Sequence, residues 1–341
     1  MRRDLKLAIV MIGCSLPLFP AHSSAQSFKF NSIDVPCSAC PGGIARRTAI
    51  GGINPDGEIV GTYTDAVGKQ HGFLLAGGQF TTIDVPGTLV GASGALPTVA
   101  RGISPWGEIV GQFTAPVNSS APVDSPAYCP AVGSTACIKG FLHGNGQFSI
   151  LLFPGHPGAI PGRITPDGSI YGCYHDFDVM ASMFSAAWTR FGDTSLAASG
   201  GELADPSKSF PNSMHGGATP DGNIMVGFYI DMTTNHQHGY VLQNKFLQTY
   251  DVPGSILTVV WDINPEQEMV GTYVDGTGKQ HGFLQLPGGA APLSIDVPSA
   301  PPFNAVKTIA MGVNPTGAIV GQYADSSGHT HGFLAVPSTQ Q

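Results

Sequence analysis

After residue 25 the chain alternates short apolar runs with clusters of Gly, Pro, Asn and Asp, and no segment sustains a helical period. One cycle of the pattern lies between Ile53 and Pro86. Asn54-Pro55-Asp56-Gly57 has proline at the second and glycine at the fourth position of a tight turn. In the run that follows, Ile59, Gly61 and Tyr63 fall on one face and Val60 and Thr62 on the other, which marks a strand covered on both sides. A short loop leads to His71-Gly72-Phe73-Leu74-Leu75, and Gly77-Gly78 turns the chain into a last strand. Pro86 ends that strand because it has no N–H to give to a ladder. With the apolar segment that ends at Ile53, the cycle predicts four short antiparallel strands.

The cycle recurs. Ile53–Leu74, Ile263–Leu284 and Val313–Leu334 are near-copies, Ile103–Phe113 and Ile164–Tyr174 are partial copies, and Ala218–Tyr229 carries one extra residue. The glycine after the apolar pair falls at 61, 111, 172, 227, 271 and 321, a period of about 50 residues that signals stacked repeats. Four antiparallel strands per period is the blade of a propeller. The expected fold is therefore an all-β, six-bladed β-propeller of four-stranded antiparallel blades. The last repeat ends at His331–Val336 without an Ile-Asp-Val-Pro strand, and the chain begins with such a strand at Phe28–Pro36. Pairing strand 28–36 with strand 331–336 closes the ring and removes its open edges.

Strand register follows from the hairpins. A two-residue turn at Gly77-Gly78 sets Ala76 opposite Gln79 and, counting back, His71 opposite Asp84. The same count sets His238 opposite Asp251, His281 opposite Asp296 and, across the chain ends, His331 opposite Asp34. In the second repeat the partners are Lys139 and Leu152, so both members of the pair change together. Residues directly opposite share a face and touch, so these histidines read as structural hydrogen-bond partners. A catalytic group is needed once, not in every repeat.

The Gly-Ile-Asn, Ile-Val-Gly, His-Gly-Phe and Ile-Asp-Val-Pro blocks resemble the bacterial extracellular repeats of the HAF family, named for a His-Ala-Phe core. Here the core reads His-Gly-Phe at 71–73, 281–283 and 331–333 and His-Gly-Tyr at 238–240, while Ala186-Ala187-Trp188 takes its place in the third repeat. The resemblance covers most of the chain after the leader. It implies secretion and a propeller, and it carries no catalytic residue.

Charge and cysteines narrow the setting. Arg2, Arg3 and Lys6, the apolar run Leu7–Phe19 and the small residues Ser23-Ser24-Ala25 make residues 1–25 a secretory signal peptide and 26–341 a single propeller domain. Met11-Ile12-Gly13-Cys14 also offers a lipoprotein reading, with a very short apolar stretch. The net charge of −8 becomes about two units more acidic without the leader, which leaves no electrostatic footprint for nucleic acid. No transmembrane segment is expected in the mature chain. Cys129 with Cys137, and Cys37 with Cys40, are disulfide candidates in an oxidising compartment. The Cys37–Cys40 spacing is also that of a redox motif or half a zinc site, but no second such pair and no helix follows it. Cys173 falls in a strand pattern as a buried thiol.

Short, uniform turns fall on one face of the expected ring. The variable stretches 86–99, 115–136, 175–185 and 205–214 fall on the other, where binding sites are usually built. Just before the end of the innermost strand most repeats have small residues, and Arg101, Arg163, His215, Trp261 and Asp262 break that rule. Two arginines, an aromatic and a carboxylate could bind an anionic or sugar-like ligand; the plainer reading is that they fill space or pair with each other. His175, Asp176 and Asp178 form an acidic loop whose spacing matches no calcium motif. Asp65, Asp231, Asp275 and Asp325 recur as turn caps. No catalytic, metal or cofactor fingerprint is present. The expected function is a secreted, non-catalytic binding or scaffold propeller that uses its loop-rich face for an extracellular protein, glycan or cell-surface ligand. The alternative is a propeller hydrolase or lyase acting on carbohydrate or a lactone at the channel mouth.

Overall fold

The computed structural model describes residues 27–122, 125–129, 136–153, 156, 158–175, 183–191, 195–200, 213–231, 233–244 and 246–338. The signal-peptide segment, Cys14, Asp176 and Asp178 lie outside them. The described chain is all β, with two single-turn 3₁₀ segments at Pro41–Gly43 and Gly87–Val90.

Each sequence repeat supplies an antiparallel set of strands. The first strands are Arg47–Ile53, Thr98–Ile103, Gly158–Ile164, Ser213–Ala218, Leu257–Ile263 and Ala305–Val313. Each pairs with a strand carrying the Ile-Val-Gly block or its equivalent, such as Ile59–Thr64, and that strand pairs with the one carrying His-Gly-Phe, such as Gln70–Ala76. Four sheets have four strands. A fifth has eight, because a single parallel bridge from Arg47 to Thr330 joins the last set to the first. In the last set the outer strand comes from the other end of the chain: Ser27–Ile33 pairs antiparallel with Thr330–Ser338, Ile33 opposite Gly332 and Ser27 opposite Ser338.

The glycine of Ile-Val-Gly and the aromatic of His-Gly-Phe are one structural unit. Gly61 lies opposite Phe73, and a Cβ there would sit 2.8 Å from the Phe73 ring and 2.3 Å from Ala49 O. The same opposition recurs at Gly111 with Phe141, Gly227 with Tyr240, Gly271 with Phe283 and Gly321 with Phe333, and each of these rings is fully buried. In the third repeat the register corrects the alignment by composition. Phe184-Ser185-Ala186 occupies the His-Gly-Phe positions, since Ala186 lies opposite Gly172. Ala186 brings no ring, and Trp188, two residues further on the same face, is buried in the same cluster with its indole N–H donating to Leu152 O at 3.0 Å.

Successive repeats are stitched by two recurring bonds. The valine N–H of Ile-Asp-Val-Pro donates to the threonine hydroxyl on the next first strand: Val85 to Thr98, Val252 to Thr258 and Val297 to Thr308, at 3.0–3.1 Å. Val35 N donates to Thr48 Oγ1 at 3.1 Å in the same way, although its strand completes the last set. Turn asparagines link likewise, Asn54 to Ser104 O, Asn264 to Asn314 O, and Asn314 back to Asn54 O. The first strands touch in sequence order, and the last touches the first.

Candidate functional site

All six first strands carry an irregularity at the same place. Pairing skips one residue at Gly51, Arg101, Gly162, Gly216, Trp261 and Met311. A bulge leaves one residue unpaired and re-aims its side chain. Glycine suits the position because neighbouring first strands run close: a Cβ on Gly51 would lie 2.5 Å from Ala100 O. Arg101, Trp261 and Met311 are the three departures.

The bulge separates the five residues singled out from sequence. Arg101 and Trp261 are bulge residues, Arg163 and Asp262 stand one place later, and His215 stands one place earlier. They do not form one site. His215 is enclosed within its own sheet, with Nδ1 2.6 Å from the Tyr240 hydroxyl, and burial pushes its pKa down to about 4. It lines neither the opening beside Asp262 nor the cavity beside Arg101.

Arg163 and Asp262 face each other across repeats three and five, with Nε 3.2 Å from Oδ2. Arg163 Nη1 also donates to Arg101 O and to Gly162 O, each at 2.9 Å, and Nη2 donates to Met311 O. One guanidinium therefore holds carbonyls of three bulges. Asp262 Oδ2 accepts from Val313 N at 3.2 Å. Burial raises the pKa of the Asp262 carboxyl, and Arg163 opposes that rise. The pair lines a narrow opening of about 100 Å³ ringed by the turn prolines, among them Pro55, Pro166 and Pro265.

On the other side of this bridge lies a cavity of about 360 Å³. Arg101, Trp261 and Met311 line it, together with Thr62, Gln112 and Gln322 from second strands and Arg47 at the beginning of its strand. Arg101 Nε donates to Gln112 Oε1 at 2.9 Å, which fixes the guanidinium plane. Burial pulls the Arg101 pKa down, and Arg163 pushes the same way. Trp261 packs edge-on against Phe228, with ring centroids 5.6 Å apart. The described lining contains no Asp, Glu or His.

The histidines sit elsewhere, on the outer strands. Nδ1 of His71, His238, His281 and His331 lies 2.7–2.8 Å from Asp84, Asp251, Asp296 and Asp34 respectively. Each ring stacks on the tyrosine opposite it, as Tyr63 does on His71 with centroids 4.9 Å apart. Sequence reasoning missed the second carboxylate: Asp65, Asp275 and Asp325 reach Nε2 of His71, His281 and His331 at 3.2–3.5 Å. The same aspartates cap their own turns, Asp65 Oδ1 accepting from Val67 N and Lys69 N. Asp231 accepts from Thr233 N. In the second repeat Lys139 replaces the histidine and is buried, which pulls its pKa down to about 8. His175 is a buried strand residue and not part of an open loop. Cys37 is bonded to Cys40 and Cys129 to Cys137, while burial pushes the Cys173 thiol up to about 12. Among the described residues no group of three His, Cys, Asp or Glu side chains is placed to hold a metal, and no helix is long and apolar enough to cross a membrane.

No protein-family model matches the chain, and no curated protein matches it. Among solved structures it is similar to TolB from Acinetobacter baumannii, at 12% identity and a TM-score of 0.48 over 83% of this chain and 64% of that one. It is also similar to the Aleuria aurantia lectin, a six-bladed β-propeller that recognises fucose, at 11% identity and a TM-score of 0.46 over 86% and 96%. AofleA from Arthrobotrys oligospora is a third, at 11% identity and a TM-score of 0.46 over 92% and 89%. The chain thus spans about two thirds of the TolB chain and most of the other two.

Proposed function

We propose that this chain is a secreted, closed six-bladed propeller of HAF-type repeats that acts as a binding protein and takes an extracellular glycan in its axial cavity. Closure is supported by the bonds that repeat across the chain ends, Val35 to Thr48 and Asn314 to Asn54, in the form they take between other repeats. Secretion is supported by the two disulfides, which persist in oxidising compartments. The observation that carries the functional reading is the bulge position. Six equivalent sites around one axis differ only in their side chains, and Arg101, Trp261 and Met311 alone project a side chain, all into one cavity. An aromatic face beside fixed polar groups in an enclosed space of this size is the anatomy of a small-ligand site. Hydrolase or lyase chemistry needs a carboxylate pair or a His–carboxylate pair at the reacting centre. The described lining supplies neither, and the one nearby carboxylate, Asp262, is engaged by Arg163.

The test is a glycan array probed with purified protein and with Trp261→Ala. Glycan binding by the parent protein that the variant loses is the expected result. Binding that Trp261→Ala leaves intact would remove the axial cavity from consideration.

A further inference from the structure

The layer of side chains just beyond the bulges is polar in four repeats, Thr272 of repeat five among them, and apolar in repeats three and four. The residue after the Ile-Val-Gly glycine is Gln322, Thr62 and Gln112 in repeats six, one and two. In repeats three and four the residue is Cys173 and Phe228, which pack with Ile160, Met214 and Val259 in one buried cluster that Trp261 abuts. Within the cavity the polar groups of Gln322, Thr62 and Gln112 stand beside the Trp261 ring and the apolar side chains of Val99, Ile309 and Met311.

Charge is unbalanced in the same place. Arg101 and Arg163 are both drawn toward the axis, and Asp262 is the one carboxylate within ion-pair distance of either among the described residues. Arg47 adds a third guanidinium at the exposed rim of the cavity. Arg101 spends only its Nε on the protein, through Gln112. Its two terminal nitrogens form the fork that recognises a planar oxyanion by parallel hydrogen bonds. Burying a cation without a counter-charge is unfavourable, so a bound anion compensates an expense already built into the fold. Three side chains of the lining, Thr62, Trp261 and Gln322, each hold a buried polar atom with no protein partner.

We propose that the cavity takes a sugar acid, a hydroxylated ring bearing a carboxylate. This inference rests on the reading of the cavity as the ligand site. The carboxylate lies on the Arg101 fork, the apolar face of the ring lies against Trp261, and hydroxyl groups meet Gln322, Gln112 and Thr62. Neutral sugars lack the group that the guanidinium needs. Aromatic carboxylates lack the hydroxyls that the amide side chains need.

Titration calorimetry with D-glucuronate, D-galacturonate, D-glucose and benzoate on the purified chain tests this. One of the two uronates should bind, with glucose and benzoate at least about 10-fold weaker, and Arg101→Gln should weaken the uronate by about 10- to 100-fold, the size of a charge-assisted pair. Circular dichroism and a melting curve on Arg101→Gln control for folding, and Gln322→Leu, remote in sequence from Arg101, should also weaken the uronate. No heat from either uronate, or uronate binding indifferent to Arg101→Gln in a folded variant, overturns the inference. Glucose bound as tightly as a uronate, with loss in Trp261→Ala, overturns the sugar-acid assignment and leaves the cavity as the site. Array binding that survives Trp261→Ala removes both.

Discussion

His331 Nδ1 lies 2.7 Å from Asp34 Oδ1, a hydrogen bond between residues 297 positions apart. It is the counterpart of the bond from His71 to Asp84, whose partners are 13 positions apart. The same local geometry thus ties a hairpin in one repeat and the two chain ends in another. A double-mutant cycle on Asp34→Ala and His331→Ala should give a coupling of about 1–2 kcal/mol in urea unfolding, as for a partly buried charge-assisted bond. The His281 and Asp296 cycle should give a similar value. A coupling near zero at the chain ends, with a normal one at His281, would mean that the terminal strand is not held there.

Acid should loosen the outer strands. Burial pushes the Asp325 carboxyl up, but hydrogen bonds from the Ser327 hydroxyl, His329 N–H and His331 outweigh it and hold the pKa at about 2. Asp65 and Asp275 are held low by similar bonds. A carboxyl whose folded pKa lies below its unfolded value of about 4 contributes stability that is present above pH 4 and lost as pH falls toward 2. Unfolding free energy should therefore fall between pH 4 and 2, and Asp325→Asn should flatten part of that slope. An unchanged slope in Asp325→Asn would exclude the residue from the acid limb.

The bridge between Arg163 and Asp262 predicts unequal costs. Arg163→Met strands the buried Asp262 carboxylate and frees carbonyls of three bulges, and should cost about 3–5 kcal/mol. Replacing both residues, Arg163→Met with Asp262→Leu, should cost less than Arg163→Met alone, because no charge is left unpaired. Equal melting temperatures for the single and double variants would show that the pair is not coupled.

Gln267 occupies the turn position that glycine holds in the other five repeats, with φ at +63°. The left-handed region costs a residue with a Cβ about 1 kcal/mol relative to glycine. Gln267→Gly should raise stability by about 0.5–1 kcal/mol, measured by urea melts, whereas a loss would mean that the side chain makes contacts worth more than the strain.

Repeat period, strand count and hairpin register were legible because turn residues and side-chain alternation are local. Counting from Gly77-Gly78 needs no tertiary information to set His71 against Asp84. The axial layer was not legible, because a bulge advances the alternation by one residue and leaves no mark in composition. Arg101 and Arg163 both stand between a small residue and the end of a first strand, yet the bulge sends one toward a cavity and makes the other a brace. The third repeat was misaligned for a similar reason. Residue type alone points to Trp188 as the aromatic core, whereas pairing puts Ala186 there and leaves the indole in the same buried cluster two residues away. Asp65 was legible as a cap from its place after the second strand, but its reach to His71 depends on how the loop folds back.

The most direct test of the axial site is a crystal structure of the protein soaked with D-glucuronate. The account predicts the ring in the cavity, its carboxylate about 3 Å from the terminal nitrogens of Arg101 and one face against Trp261. Sugar density confined to the outer loops, with water alone beside Arg101, would contradict it.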